Sequence, residues 1–585
     1  MTTQSGESSL FARFAYPHPF PHSVLVTIKI KIFPATMMLW MLLLSVAFDA
    51  MAIPPISDSV SAHIQSLIHE GVHPRLRWSA FPDYQNQLET LYQQNAQNPL
   101  WVNADQPTPQ ARAVIAHIAS ADDRGLISAD YDADQWVRWS NELTADPKDI
   151  ASFDVGLSLS LMRYGSNLYL GRINPRRVDF GLNIETKRVD LPNLVQKIAQ
   201  STQSTAMLDD LEPGFPLYER LKRSLVRFRQ LQKEMPDPQL ALPVKFTPGN
   251  SHKDVPDLRR MLYLLGDLPE LEETTADSRV YDRELTEAVK SMQQRLGLSA
   301  DGIIGNPTLS QLNVPVADRI AQIQMGMERL RWLPEFIRGP YLMVNIPSFQ
   351  LFGSRNDTGN GLGHHDIQMN VIVGEAVDGR HTPVFHADMT SVMFRPYWNV
   401  PYKISAKELL PLARRNPGYL ARSSLELVSG FAPSAPVYEP TPGNIEMLAT
   451  GALKLRQKPG PKNALGLVKF TFPNNNNIYL HSTPSKGLFQ RARRDFSHGC
   501  IRVQDPVRLA EFVLEEQGEW TRERIETAMN GGNPKNVNLK RGIGVYIFYS
   551  TVLANEQGQA SFYSDIYGHD AVLQNLLAKG FPYPG

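Results

Sequence analysis

The sequence predicts a multidomain α+β protein: a helical front, a small three-helix unit, and a mostly β C-terminal domain broken by one long insertion. Three observations predict this. The chain has 585 residues, or roughly four units at about 150 residues per domain. As far as about position 315, apolar residues recur at three- and four-residue spacing, the period of helices packed on one face. From about 340 the period falls to two, in runs rich in Val, Ile, Phe and Tyr that read as strands.

Residues 1–52 read as a leader to be left out of fold reasoning. Residues 37–48, MMLWMLLLSVAF, are apolar. That run is too short to span a bilayer but fits the hydrophobic region of a signal peptide. Lys29 and Lys31 lie upstream, and Ala50-Met51-Ala52 has the small-x-small form cut by signal peptidases. The Pro/His-rich YPHPFPH within residues 1–23 suggests extra leader or an early start codon. Contact with the inner membrane is then transient, through the signal peptide alone.

Residues 57–248 read as a helical scaffold, with ARAVIAHIASADDRGL, VGLSLSLMRYGSNLYLGRI and LYERLKRSLVRFRQLQ as amphipathic helices stopped by Gly125, Gly171 and Pro175. Residues 250–315 form a smaller unit. Val255, Leu258, Leu262 and Leu265 share one helical face that stops at Gly266. A second face carries Leu285, Ala288, Val289, Met292 and Leu296. The turn Asp301-Gly302-Ile303-Ile304-Gly305 and a short helix over 307–312 follow. This helix, DG-x-x-G turn and T-x-x-x-L tail resemble the small three-helix peptidoglycan-binding domain. The resemblance implies binding of wall glycan; a helical spacer would build the same turn.

Strands are expected in YLMVNIPSFQLF, IQMNVIVGEA, SVMFRPYWNVP, LGLVKFTF, NIYLH and GVYIFYSTVLA, giving a domain over 340–570 with a tail at 571–585. Residues 401–466 interrupt it with helical pieces and many prolines, a length typical of a lid or binding element.

Composition excludes several function classes. The chain carries 59 basic and 59 acidic side chains, so it lacks the basic footprint of nucleic-acid binders. Its single cysteine rules out intramolecular disulfides and cysteine-cluster metal sites. His364, His365, His381 and His386 lie close in sequence but form no H-E-x-x-H helix, and read as loop histidines rather than ligands. Arg491, Arg493 and Arg494 read as a solvated basic face, or as an attractor for an anionic peptide.

The one cysteine sits in Phe496-Ser497-His498-Gly499-Cys500-Ile501-Arg502, and His481 lies upstream at the end of IYL, followed by Ser482-Thr483-Pro484. A thiol attacks well only as thiolate, and an imidazole beside it can take the proton to leave a thiolate–imidazolium pair. Gly499 lets the backbone come close, so the amides of Gly499 and Cys500 could meet a developing oxyanion. Arg502 could favour the thiolate or hold a substrate carboxylate. These parts suit covalent acyl transfer.

HSTP and SHGCIR together resemble the L,D-transpeptidase catalytic family. RWLP at 331–334, NIPSFQLF, PYWNVP, LRQKPGPKNALGLVKF and SDIYG at 564–568 extend the likeness to its large periplasmic members, over about residues 60–575. The resemblance implies Cys500 as nucleophile, His481 as general acid/base and His498 in a supporting role that a structural histidine could equally fill. It implies Arg502 facing the site, with Tyr479 and Trp398 as pocket walls. The implied partners are peptidoglycan stem peptides and glycan, in the periplasm, with no metal and no organic cofactor. The implied reaction is a 3→3 cross-link made through a cysteine thioester. The alternatives keep that acyl-enzyme but pass it to water, as an L,D-carboxypeptidase or cross-link hydrolase, or to a lipoprotein or a D-amino acid.

Overall fold

A computed structural model describes residues 58–582, apart from 183–186, 336, 338, 356–364, 378 and 433. The leader with its apolar run, and His364 with the glycines at 359–363, lie outside the described residues. Among those described, no helix is long and apolar enough to cross a membrane.

The front is helical as expected: α1 (Asp58–Glu70), α2 (Gln85–Gln94), a two-residue hairpin of β1 (Val102–Asn103) and β2 (Gln106–Pro107), α3 (Pro109–Ala119), α4 (Ala133–Glu142), α5 (Pro147–Leu170), α6 (Leu191–Gln200), α7 (Ser204–Asp209) and α8 (Pro216–Glu234). The central helix is α5, buried along most of its length. Asp146 caps it by accepting the Lys148 amide, and Pro147 sits in the first turn, where its missing N–H costs nothing. Inside it the fully buried Asp154 accepts the amides of Leu100 (2.9 Å) and Trp101 (2.6 Å) and the hydroxyl of Tyr92 (2.7 Å). One carboxylate therefore ties α2 and the β1 hairpin onto α5.

The small unit holds α9 (Val255–Leu265), the single turn α10 (Glu273–Ala276), α11 (Arg283–Arg295) and α12 (Asn306–Leu312). Its three main helices fall where the apolar spacing predicts. Gln293 clamps the DG-x-x-G turn, its side-chain amide donating to Ile303 O (2.9 Å) and its carbonyl accepting Gly302 N–H (2.9 Å).

Apart from the RWLP likeness at 331–334, residues 316–339 carry no expectation from the sequence, yet they form the hub: α13 (Val316–Arg331). Leu221 and Phe228 of α8, Leu258 of α9, Leu285 of α11, Ile323 and Met327 of α13, and Tyr341 beyond it share one apolar cluster. The helical front, the small unit and the β domain are thus joined by common core rather than strung on linkers. Glu328, Arg329 and Arg331 of α13 are fully buried. Glu328 pairs with Arg172 (3.3 Å) and Arg331 (3.1 Å) and accepts the amides of Arg172 and Ile173. Arg329 pairs with Asp570 at 2.5 Å.

The C-terminal part is β3 (Tyr341–Asn345), β4 (Gln350–Ser354), β5 (Ile367–Gly374), β6 (Phe385–Phe394), β7 (Trp398–Asn399), the insertion, β11 (Val468–Thr471), β12 (Leu480–His481), β13 (Asp495–Ser497), β14 (Ile501–Val503), α18 (Pro506–Leu514), α19 (Arg522–Asn530), β15 (Lys535–Phe548), β16 (Val552–Ala554), β17 (Ala560–Phe562) and α20 (His569–Leu577). The main sheet runs β13-β5-β14-β12-β11-β6-β15-β3-β4, and β4 also pairs with β5. It therefore closes on itself, leaving no long free edge to recruit another chain. Two features differ from expectation. β15 starts at Lys535, well ahead of the apolar GVYIFYS, because its polar half still finds partners on β6. The expected tail begins inside α20, whose Leu573 is fully buried in the barrel's core.

The insertion folds as α14 (Tyr402–Ile404), a π-helical turn (Ser405–Leu409), α15 (Leu410–Arg415), α16 (Gly418–Arg422), β8 (Leu425–Val428), β9 (Val437–Tyr438), α17 (Pro442–Thr450) and β10 (Lys454–Gln457). With β7 its strands form a separate sheet, β7-β10-β8-β9, over their own core of Leu410, Leu420, Leu427, Ile445 and Leu455.

Removing one member of a buried ion pair strands the other charge, at a cost of about 3–5 kcal/mol. Glu328→Gln is therefore expected to lower unfolding stability by about 3 kcal/mol, read from the urea midpoint at unchanged slope. A loss no larger than that of a surface substitution, about 0.5 kcal/mol, is the result against it.

Candidate active site

Three adjacent strands build the site. In β11 the side chains alternate: Val468 and Phe470 enter the core, while Lys469 and Thr471 face the other way. Lys469 pairs in register with His481 of β12, and His481 with Arg502 of β14. Leu480 and Ile501, one step along, are core residues. The two-residue period therefore puts Lys469, Tyr479, His481, Cys500 and Arg502 on one face, with Cys500 also packed against the edge of the barrel core. Ile501 N–H donates to Tyr479 O (3.1 Å), which sets Cys500 beside Tyr479.

Cys500 is partly buried, and its Sγ lies 3.8 Å from Asn477 O. The rings of Tyr479 and His481 meet edge-on at 5.7 Å, and Lys469 Nζ sits 4.0 Å over the Tyr479 ring. Trp398 bonds the Tyr479 side chain from β7.

His481 is buried, and its Nδ1–H donates to Ser482 O (2.6 Å). A carbonyl can only accept, so the ring keeps its lone pair on Nε2. Burial holds the His481 pKa down to about 3, with Arg502 and Lys469 acting in the same direction. Burial also raises the Cys500 thiol, against the Tyr479 amide and hydroxyl, Lys469 and Arg502, which favour the thiolate. Both shifts favour the neutral forms, thiol and imidazole, over a thiolate–imidazolium pair. A dry site disfavours both charges at once.

The motif backbone corrects one expectation. Gly499 has φ +114°, open to glycine but strained for other residues. Its amide, expected to face an oxyanion, donates instead to Ser497 Oγ (3.1 Å), and that hydroxyl donates to Cys500 O (2.5 Å). The Cys500 amide bonds no acceptor among the described residues. Of the two expected donors, it alone is available.

His498 turns outward to the insertion, its Nε2 2.8 Å from Glu408 Oε1 in the π-helical turn. Arg380 bridges Glu408 (2.8 Å) and Glu375 (2.7 Å). The other histidines fill packing roles: His381 stacks on Tyr567 at 4.1 Å and His386 on Tyr546 at 4.3 Å. The basic run is only partly a solvated face. Arg493 pairs with Asp495 (2.7 Å), and Arg494 donates to Val371 O (3.3 Å) and Phe349 O (3.2 Å), pinning strands together.

The family profile of the L,D-transpeptidase catalytic domain matches residues 339–528. Profiles described as "Scaffold domain" and "Putative peptidoglycan binding domain" match residues 86–225 and 251–312. A Haemophilus influenzae protein named "Putative L,D-transpeptidase" is 31% identical over 265 residues, 45% of this chain and 50% of that protein. The chain thus matches about half the length of that relative. An L,D-transpeptidase from Xylanimonas cellulosilytica of known crystal structure is 13% identical, covering 53% of this chain and all of its own, at a TM-score of 0.15. A score that low says nothing about this fold.

Sequence reasoning missed Lys469, though the alternation in LVKFTF already points it away from the core. It has no carboxylate partner among the described residues, and burial lowers its pKa while Cys500 opposes the shift. A half-buried cation beside the sulfur favours the thiolate. Lys469→Met is expected to move the pH midpoint of Cys500 alkylation by iodoacetamide upward, and Lys469→Arg to hold it. A midpoint that does not move in Lys469→Met counts against this role.

Proposed function

We propose that this chain is a peptidoglycan L,D-transpeptidase that makes 3→3 cross-links through a Cys500 thioester. The observation that carries it is the shared face of β11, β12 and β14, which sets the chain's one cysteine on the same face as His481, whose Nδ1 is held by Ser482 O. In the first half-reaction Cys500 gives its proton to His481 Nε2 and attacks the carbonyl carbon of the third stem residue, a diamino acid. The C–N bond breaks, His481 returns the proton, and the terminal D-alanine leaves as an amine. In the second, the side-chain amine of a neighbouring stem attacks the thioester carbon. Its proton passes to His481, the C–S bond breaks, and the thiol is restored.

A neutral imidazole can take the thiol's proton, but its lowered pKa makes that transfer uphill until charge moves to the substrate. Arg502 and Lys469 stabilise the thiolate as it forms and offer charge to a stem carboxylate. His498 supports by linking the motif to Glu408. The small unit at 250–315 would hold glycan, and the insertion at 401–466 would act as a lid. Water competes with the acceptor amine for the thioester, and a cover that excludes water favours cross-linking over hydrolysis. Peptidoglycan chemistry places the protein outside the cytoplasm; the apolar run at 37–48 supports periplasmic export.

Exposure to a carbapenem is expected to add one drug mass to the intact protein, on Cys500, and the adduct to vanish in Cys500→Ala. An adduct elsewhere, or none, defeats the acyl-enzyme reading. With tetrapeptide stems, mass spectrometry is expected to show cross-linked dimers and released D-alanine. Tripeptide alone would mark a carboxypeptidase. Deleting the insertion is expected to shift product from dimer to tripeptide or to abolish acylation, and an unchanged dimer yield counts against a lid.

A further inference from the structure

The catalytic motif is held from behind by a residue far away in sequence. Thr382 is fully buried, and its hydroxyl donates to Gly499 O at 2.7 Å. The same oxygen accepts Gly374 N–H at 2.9 Å, so its single proton is committed to Gly499. Tyr567 braces this contact. Its hydroxyl donates to Gly374 O (2.6 Å) and accepts Thr382 N–H (3.2 Å), while its ring stacks on His381. Gly374 makes room for the arrangement: a Cβ there would sit 2.0 Å from Arg380 O and 2.8 Å from Thr382 N.

The consequence follows from peptide geometry. Gly499 C=O and Cys500 N–H belong to one planar trans peptide, so they point in opposite directions. Holding the carbonyl toward Thr382 turns the Cys500 amide away from it. That amide is the motif donor left without an acceptor among the described residues, since the Gly499 amide is taken by Ser497. We infer that Thr382 is a positioning residue that aims the Cys500 N–H at the oxyanion formed when the sulfur attacks a carbonyl. Thr382 touches neither sulfur nor substrate; it acts through the Gly499–Cys500 peptide. The inference deepens the acyl-transfer reading and depends on it only for the class of chemistry.

The test compares two reactions of the same sulfur in the full chain. Acylation by p-nitrophenyl acetate passes through an oxyanion, whereas alkylation by iodoacetamide displaces iodide and forms none. Removing one oxyanion donor typically costs about 10²–10³ in rate. Thr382→Val is therefore expected to lower the ratio of acylation to alkylation rates by about 100-fold, with Thr382→Ser restoring it. Tyr567→Phe keeps the Thr382 hydroxyl and is expected to lower the ratio by a smaller factor, which covers the case in which Thr382→Val does not fold. A ratio unchanged in Thr382→Val, or unchanged in Tyr567→Phe when the valine variant fails to fold, overturns the inference. A wild-type protein inert to carbapenem but showing the ratio change would sink the transpeptidase reading and leave the role of Thr382 standing.

Discussion

Everything at the site depends on the register of β11, β12 and β14. Strands have a period of two, so sliding any one of them by a single residue exchanges its faces. A slip of β14 would send Arg502 into the barrel core and bring Ile501 out. The register is held by what lies beneath: Val468, Phe470, Leu480, Ile501 and Val503 all enter one apolar cluster. The core that stabilises the barrel is therefore also what keeps Lys469, His481 and Cys500 aligned across three strands. Closure of the sheet through β4 and β5 strengthens this, since β11, β12 and β14 each have a neighbour on both sides.

The same burial decides the charge state. Two cations face the sulfur, yet thiol and imidazole both rest neutral because leaving water costs each charge more than its neighbours return. On the proposed mechanism, charge appears only when substrate supplies a place for it, at the oxyanion and at any stem carboxylate. The cations Arg502 and Lys469 disfavour the imidazolium but favour the thiolate, so they bias the pair toward attack by sulfur and rapid return of the proton. Ser482 O holds the ring throughout, a neutral orienting group where a carboxylate would have stabilised the imidazolium at rest.

What could be read from sequence was local. The helices of the small unit, the strands, the insertion, and the Cys500–His481 constellation all announce themselves through spacing within a short stretch. What could not be read arises across strands or across domains. Lys469 matters because register sets it beside His481, and Thr382 because the end of β5 folds against the motif loop. Glu408 reaches His498 only through the packing of the insertion. α13 escaped notice for a related reason: its buried Glu328, Arg329 and Arg331 look like surface charges until Arg172 and Asp570 come from distant segments to pair with them. The resting charge state was also beyond the sequence, because the motif names the groups but not how dry their surroundings are.

The insertion meets the site at two points of different character. Trp398 packs against the insertion's own core while bonding Tyr479, an attachment at its root on β7. Glu408 meets His498 and Arg380 by ion pairs at half-exposed side chains, contacts that cost little to break in water. A body with its own core can shift without unpacking the barrel, and here it is fixed firmly at one end and lightly at the other. That asymmetry is what a cover needs if it must admit two long peptides in turn yet shut out water between them. His498 stands next to Gly499 but turns its ring nitrogen to Glu408 of the insertion.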